Sequence, residues 1–504
     1  MFCFMTAYET VFYFVTFVYY YYKVKRKFVT NLALLLFLNI LIKPLWIFGI
    51  DMGVQNLTGA NEYGTYASLF SFSIILNILL DLGLTNFNNK NIAQHSQLLV
   101  KYFSNMVVMK FILGVLYAII CLSMGFIMGY DSHQFHLLYF LIGNQFILSF
   151  ILYLRSNLSG LHYFKTDSII SITDRTLMLV ICGSLLLYPP TRQHFKIEWF
   201  IYSQTLAYSI TFLIAFFVVL KHAKVFKFQF DLAFLVLIFK QSYPFALLVL
   251  LMSLYSRIDI VMIERMLPDG RLQAGIYSQA FRIIDAVSMF AFLFATLLLP
   301  IFARMIKLKE NVTQLVRLSY LLLLVPTIVF SCVSVFYSND LIGLLYKNHV
   351  AEAASIYAIL IIGYNAVSTS YIFGTLLTAN NNVKQLNYMA LIGVITNVVL
   401  NIIFIPIYKA WGAAFSSLIT QGVTALIQAV LAARIFKFKI VISDFIKVFT
   451  FVSIILCLCW LTSHYIQHWM TGFVIVIGLG LLFAFALRII HIKALVDIIR
   501  SEGE

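Results

Sequence analysis

The sequence predicts an all-α, polytopic membrane protein with about 14 transmembrane helices, each near the length of about 20 apolar residues that crosses hydrocarbon. Three observations carry that prediction. Of the 504 residues, 62% are hydrophobic and 11% charged, with a mean hydropathy of +0.94. Soluble chains are roughly 45–50% apolar and about 25% charged, so a soluble fold would lack the polar surface to cover such a core. The apolar stretches are also long and lack the alternation of a membrane β-barrel. Finally, the connections are short; even 85–101, 221–241 and 338–353 leave no room for a catalytic domain. Gly (23), Pro (8) and Cys (6) are too few for a collagenous, disordered or disulfide-held chain. Cys3, Cys121, Cys182, Cys332, Cys457 and Cys459 all lie in apolar stretches without a His at ligand spacing, and read as packing residues.

In chain order, the first span covers 28–50 and is interrupted by Lys43-Pro44, where proline removes a helix hydrogen bond and bends the axis. The second, 63–84, opens on Tyr63-Gly64-Thr65-Tyr66. Next come 102–128 with Lys110, 137–158, 168–188 with Asp174 and Arg175, and 199–220. The seventh and eighth, 242–266 and 275–303, carry Arg257, Asp259 and Glu264, then Arg282 and Asp285. After 318–337 and 354–378, the eleventh span, 386–408, places Asn397 and Asn401 on one face before Pro406. Gly412-Ala413-Ala414 opens the twelfth, 411–433, with small residues that allow close helix approach. The last two cover 447–464 and 471–490.

The G-x-Y at Gly64 returns at Gly275, 211 residues on and six spans later. That hint of duplication suggests two six-helix lobes related by an axis along the membrane normal. The expected units are 24–231 (helices 1–6), 232–440 (helices 7–12) and 441–504 (helices 13–14 and tail). Residues 1–23 are an apolar extension open to two readings, an extra span or sequence ahead of a true start near Lys23. Low complexity, and the K-V-K-R-K that follows at once, favour the second.

The net charge is +15. In a soluble protein this would suggest nucleic acid; here cytoplasmic loops and anionic lipid headgroups account for it better, and no basic-aromatic patch on a soluble domain is found. Of the 35 lysines and arginines, 24 fall in alternate connections that include Lys23 and the C-terminal segment, against six in the others. The bias places both Lys23 and the C-terminus in the cytoplasm. Five bases remain within spans: Lys43, Lys110, Arg175, Arg257 and Arg282. Centring one in a bilayer costs about 2.5–3.5 kcal/mol on insertion scales, so such residues face a bundle interior or a wet cavity. Lys110 is the best placed to snorkel.

Helix geometry puts Arg282, Asp285 and Ser278 on one face and Arg257 with Glu264 on another, with Asp259 pointing elsewhere. Two readings stay open: ion pairs that staple the helices, or a cationic cavity wall for an anionic substrate with Asp259, Asp285, Asp174 and Glu264 available to carry coupling ions. Lys43, Arg257 and Arg282 lie roughly 12–15 Å from the outer ends, with Asp174 and Arg175 comparably deep from the inner side. Pro44, Asn397, Asn401 and Pro406 mark bent or polar helices that suit a cavity lining, or, for the asparagines, helix–helix hydrogen bonding. No phosphate-binding loop, serine nucleophile elbow, HExxH or paired CxxC occurs, so neither enzyme chemistry nor a cofactor is expected.

Several segments in order resemble the Wzx-type polysaccharide flippases of the multidrug/oligosaccharidyl-lipid/polysaccharide exporter superfamily. They are Phe28-Val29-Thr30-Asn31; Gly64-Thr65-Tyr66 leading to Asp81-Leu82-Gly83-Leu84; Arg257-Ile258-Asp259 ahead of Gly275-Ile276-Tyr277; Leu299-Pro300; and Asn401 through Pro406 to Gly412-Ala413-Ala414. The likeness runs from about residue 24 to 440 and has no counterpart before it. It implies two six-helix lobes about a central cavity, plus helices thirteen and fourteen, in a bacterial inner membrane. It also implies an undecaprenyl-diphosphate-linked oligosaccharide as cargo, coupling to a proton or sodium gradient, and polysaccharide polymerase or chain-length machinery as partners. The residues carried over are Arg257 and Arg282 for the cargo, beside Arg175 and Lys43 from the charge reading, with Asp259 and Asp285 as coupling groups. A lipid II flippase, a multidrug cation exporter and a polytopic glycan polymerase are the rivals.

Overall fold

A membrane interior offers no water to backbone amides and carbonyls, so each spanning segment must satisfy its own, as a helix does. The computed structural model describes residues 41–42, 44–95, 97–223, 232–438, 442–487 and 489. Residues 1–23, most of the first expected span, Lys43 and the tail beyond 489 lie outside the described residues. Among the described residues, fifteen α-helices follow one another: α1 Met52–Leu76, α2 Leu84–Gln94, α3 Leu98–Ile127, α4 Ser132–Gly160, α5 Phe164–Leu187, α6 Pro189–Gln193, α7 Ile197–Ala223, α8 Leu232–Met266, α9 Gly270–Lys307, α10 Thr313–Phe336, α11 Ser338–Leu345, α12 Val350–Ala379, α13 Val383–Phe436, α14 Ile442–Tyr465 and α15 Trp469–Ala486. A π-helical turn, Trp46–Asp51, leads into α1, and a 3₁₀ turn, Asn77–Leu80, leaves it. Among the described residues, twelve helical runs are long and apolar enough to cross a membrane.

Two of those runs are each two helices joined at a sharp break. Gly59 takes φ 80°, ψ 165° inside α1, and Lys409 takes φ 53°, ψ −136° inside α13. Divided there, the twelve runs become fourteen helical segments among the described residues. The break at Lys409 falls where the sequence separates its eleventh and twelfth spans. That at Gly59 corrects the first connection, expected over 51–62. Helix continues past residue 50 because Asp51, Gln55 and Asn56, which hydropathy counts as loop residues, all find tertiary partners. Short helices α2 and α11 occupy segments read as plain connections.

The helices up to Ala223 pack among themselves, α4 against α7 and α2, and α5 against α7; those from Leu232 do likewise, with α12 against α9, α10 and α13, and α13 against α8. The halves meet where α1 lies on α8 and α9. Two glycines fix that crossing. A Cβ on Gly64 would sit 1.9 Å from the Arg271 carbonyl oxygen, and one on Gly275 only 1.8 Å from that of Ala60. The repeated G-x-Y is therefore the point where the two backbones touch. Helices α14 and α15 pack against α10, as Val329, Ile455 and Gly480 meet.

Candidate functional site

Beside this crossing lies a small, partly open cleft lined by Ala67, Phe70 and Ser71 of α1, Arg257 and Ile260 of α8, and Ser278, Phe281 and Arg282 of α9. Two guanidinium groups thus sit on one wall, each over an aromatic ring. Arg257 lies 4.9 Å from the Phe281 ring centre and Arg282 5.6 Å from that of Phe70, contacts that favour a partly desolvated cation.

Both cations have acids. Arg257 makes a two-pronged contact with Asp285, Nη1 to Oδ2 at 3.1 Å and Nη2 to Oδ1 at 2.9 Å. Arg282 reaches the same carboxylate at 3.5 Å and forms a 2.8 Å ion pair with Asp51, whose exposure is 1%. The Tyr63 hydroxyl completes the set, donating to Asp51 at 2.8 Å and accepting from Arg282 Nε at 2.9 Å. A chain Asp51–Arg282–Asp285–Arg257 results, with opposite charges alternating across α8, α9 and the π turn before α1.

Asp259 stands apart from these cations. Buried between α8 and α13, its Oδ1 accepts from Asn397 at 2.9 Å and Asn401 at 2.7 Å, while its Oδ2 accepts from Tyr277 at 3.0 Å. Asn397 and Asn401 therefore bond across helices to an acid, with Asn401 also reaching Asn397 at 3.2 Å.

Several expectations need correction. Arg257 and Glu264 share a face of α8 but do not pair, because Asp285 on the adjacent helix takes Arg257 first. Glu264 instead joins an edge cluster, in a 2.7 Å ion pair with Arg265 and accepting from Gln134 at 2.9 Å. There Arg265 also donates to the Met128 carbonyl and Gln134, and Arg271 pairs with Asp131. Lys110 does not snorkel. Its Nζ is buried and donates to Asp81 at 2.6 Å, Ser149 at 2.9 Å and the Leu80 carbonyl at 3.1 Å, which satisfies all three protons. Asp174 and Arg175 pair with each other at 2.7 Å, with Arg175 also donating to Tyr208 and lying 5.0 Å from the Trp46 ring centre; they do not join the Arg257–Arg282 cluster. Pro44 precedes the π turn. Pro406 lies on an exposed face of α13, three residues before the break at Lys409. Lys43 falls outside the described residues. Each described base within a span thus has a carboxylate partner, so the positive surplus is smaller than a count of bases suggests.

A family model described as "Polysaccharide biosynthesis protein" matches residues 28–306, more than half of the chain. The chain belongs to the polysaccharide biosynthesis protein family. No curated protein matches it by sequence. Among solved structures it is similar to the lipid II flippase MurJ in an inward closed conformation, at TM-score 0.65 and 15% identity, covering 92% of this chain and 97% of that one. It is also similar to an inward-facing multidrug resistance MATE family transporter of the MOP superfamily, at TM-score 0.60 and 13% identity, covering 78% and 94%, and to the eukaryotic MATE transporter AtDTX14, at TM-score 0.55 and 14% identity, covering 81% and 95%. At such identities these likenesses establish the fold. The superfamily resemblance read from the sequence and the plan of two six-helix lobes plus two helices are borne out, and a multi-pass membrane transporter of the polysaccharide biosynthesis family is the result.

Proposed function

We propose that this chain is a Wzx-type flippase that moves undecaprenyl-diphosphate-linked oligosaccharide units from the cytoplasmic to the outer leaflet of a bacterial inner membrane, with its C-terminus in the cytoplasm. The observation that carries the reading is the pair of guanidiniums, Arg257 and Arg282, on the wall of a cleft between the two halves. A diphosphate carries the charge and planar oxygen pairs that guanidinium forks bind best. The same wall disfavours the organic cations of a multidrug exporter, whose cavity would need unpaired acids.

Asp259 is the preferred coupling group, since a buried carboxylate held only by neutral donors has a place for a proton or sodium ion. Asp285 and Glu264 are already engaged by arginines. In this reading the emerging units pass to polymerase and chain-length machinery. Deleting the gene should stop surface polysaccharide while lipid-linked units accumulate inside; normal surface glycan in a strain without a paralogue would refute it. A lipid II flippase is the second reading, favoured by the 97% coverage of MurJ's chain. Rescue of a MurJ-depleted strain by this protein would select it.

A further inference from the structure

The two arginines on the cleft wall share one exposed-edge carboxylate. Asp51 cannot be shared with anything in the cleft, since its side chain is 1% exposed and wedged against Tyr63 and Arg282. Asp285 differs: its side chain is 22% exposed, and that of Arg257, which lines the cleft, is 23% exposed. Phe281 covers one face of the Arg257 guanidinium at 4.9 Å, which leaves the donor edge for an anion. Asp285 holds that edge by both oxygens, at 2.9 and 3.1 Å. A guanidinium edge grips a carboxylate and a phosphoryl group in the same planar, two-pronged way.

We infer that Asp285 is a built-in competitor for the anionic group of the cargo, exchanging places with phosphoryl oxygens on the same edge of Arg257. The inference rests on the lipid-diphosphate reading above and gives that site a selectivity device. A carboxylate already on the edge excludes weak single-charged anions, because such an exchange gains nothing. A phosphoryl group with more charge displaces it, and Asp285 returns to Arg257 as the cargo leaves. Arg282, 3.5 Å from Asp285 Oδ2 and anchored by Asp51, keeps the displaced carboxylate beside a cation. Asp285 is thus a positioning and specificity residue that acts through Arg257.

The test uses full-length protein purified in detergent, farnesyl diphosphate as probe and farnesol as the uncharged control. Asp285→Asn and Asp285→Ser should each bind farnesyl diphosphate about tenfold more tightly than wild type, and Asp285→Glu should bind as wild type does. Cells carrying Asp285→Asn should nevertheless export less polysaccharide, because release is slowed. A purely structural role for Asp285 moves binding and melting temperature down together. Equal or weaker binding by both neutral variants overturns the exchange alone. Absence of farnesyl diphosphate binding in wild type and every variant overturns the lipid-diphosphate reading beneath it.

Discussion

Each half of the molecule holds a carboxylate only 1% exposed near its first helix and gives it a tyrosine from the helix that bears the G-x-Y. Asp51 receives Tyr63 at 2.8 Å and Asp259 receives Tyr277 at 3.0 Å. The remaining partners differ in kind. Asp51 has the guanidinium of Arg282, whereas Asp259 has the amides of Asn397 and Asn401. The first carboxylate is neutralised by the opposite half of the protein and ties the halves together. The second is solvated by its own half and carries no compensating cation. The same local plan therefore yields a structural anchor on one side and an acid able to change charge on the other.

The largest expected effect breaks the anchor. Replacing Arg282 by Ala strands the buried Asp51, and replacing Asp51 by Asn leaves Arg282 only its longer 3.5 Å ion pair with Asp285; removing one partner of such a pair costs about 3–5 kcal/mol. Thermal melting of the detergent-purified protein should show a fall for either single variant. The Asp51→Asn/Arg282→Met double variant, which removes both charges, should recover much of it. Losses that simply add in the double variant would contradict the anchor.

Asp259→Asn should be milder. No cation is orphaned, and the loss is that of hydrogen bonds to a charged acceptor, about 1.5–3 kcal/mol. If Asp259 carries the coupling ion, wild-type protein should melt at a temperature that depends on sodium or proton concentration, and Asp259→Asn should lose that dependence. An Asp259→Asn protein that melts lower than Asp51→Asn would reverse the ranking on which the comparison stands.

Sorting charges by helix position was enough to find Arg257, Arg282, Asp285 and Asp259, because a charge inside an apolar span is costly wherever it points. The G-x-Y repeat likewise turned out to mark the contact of α1 with α9. Asp51 escaped because it sits just beyond the first apolar stretch, where a hydropathy ruler stops. The one available signal was that no Lys, Arg or Pro lies between Asp51 and the next span, so nothing required the helix to end there. Asp81 lies inside the span expected over 63–84, yet its pairing with Lys110 could not be read because the two sit on different helices. Spacing along a single helix says which side chains share a face; it does not say what faces them. That is why Arg257 was matched with Glu264 on its own helix and not with Asp285 on the next.

The smallest expected effect lies at the edge cluster, where pairing resembles that at the anchor but water is close. Partial burial works against the charged form of Asp131, yet the Gln134 amide and then Arg271 outweigh it and hold the carboxyl below the ordinary carboxylate range. A group whose folded pKa is depressed adds stability that is complete above its unfolded pKa, about 3.9, and is lost as pH falls through the folded value. The contribution should therefore persist at neutral pH and fade only below about pH 4. With side chains 45% and 41% exposed, solvent screening keeps it within the range of about 0–1 kcal/mol for surface pairs, and added salt should reduce it. Asp131→Asn should lower the melting temperature slightly at pH 7 and flatten its decline in acid. A drop matching that of Asp51→Asn would mean that the edge cluster, and not the buried anchor, holds the halves together.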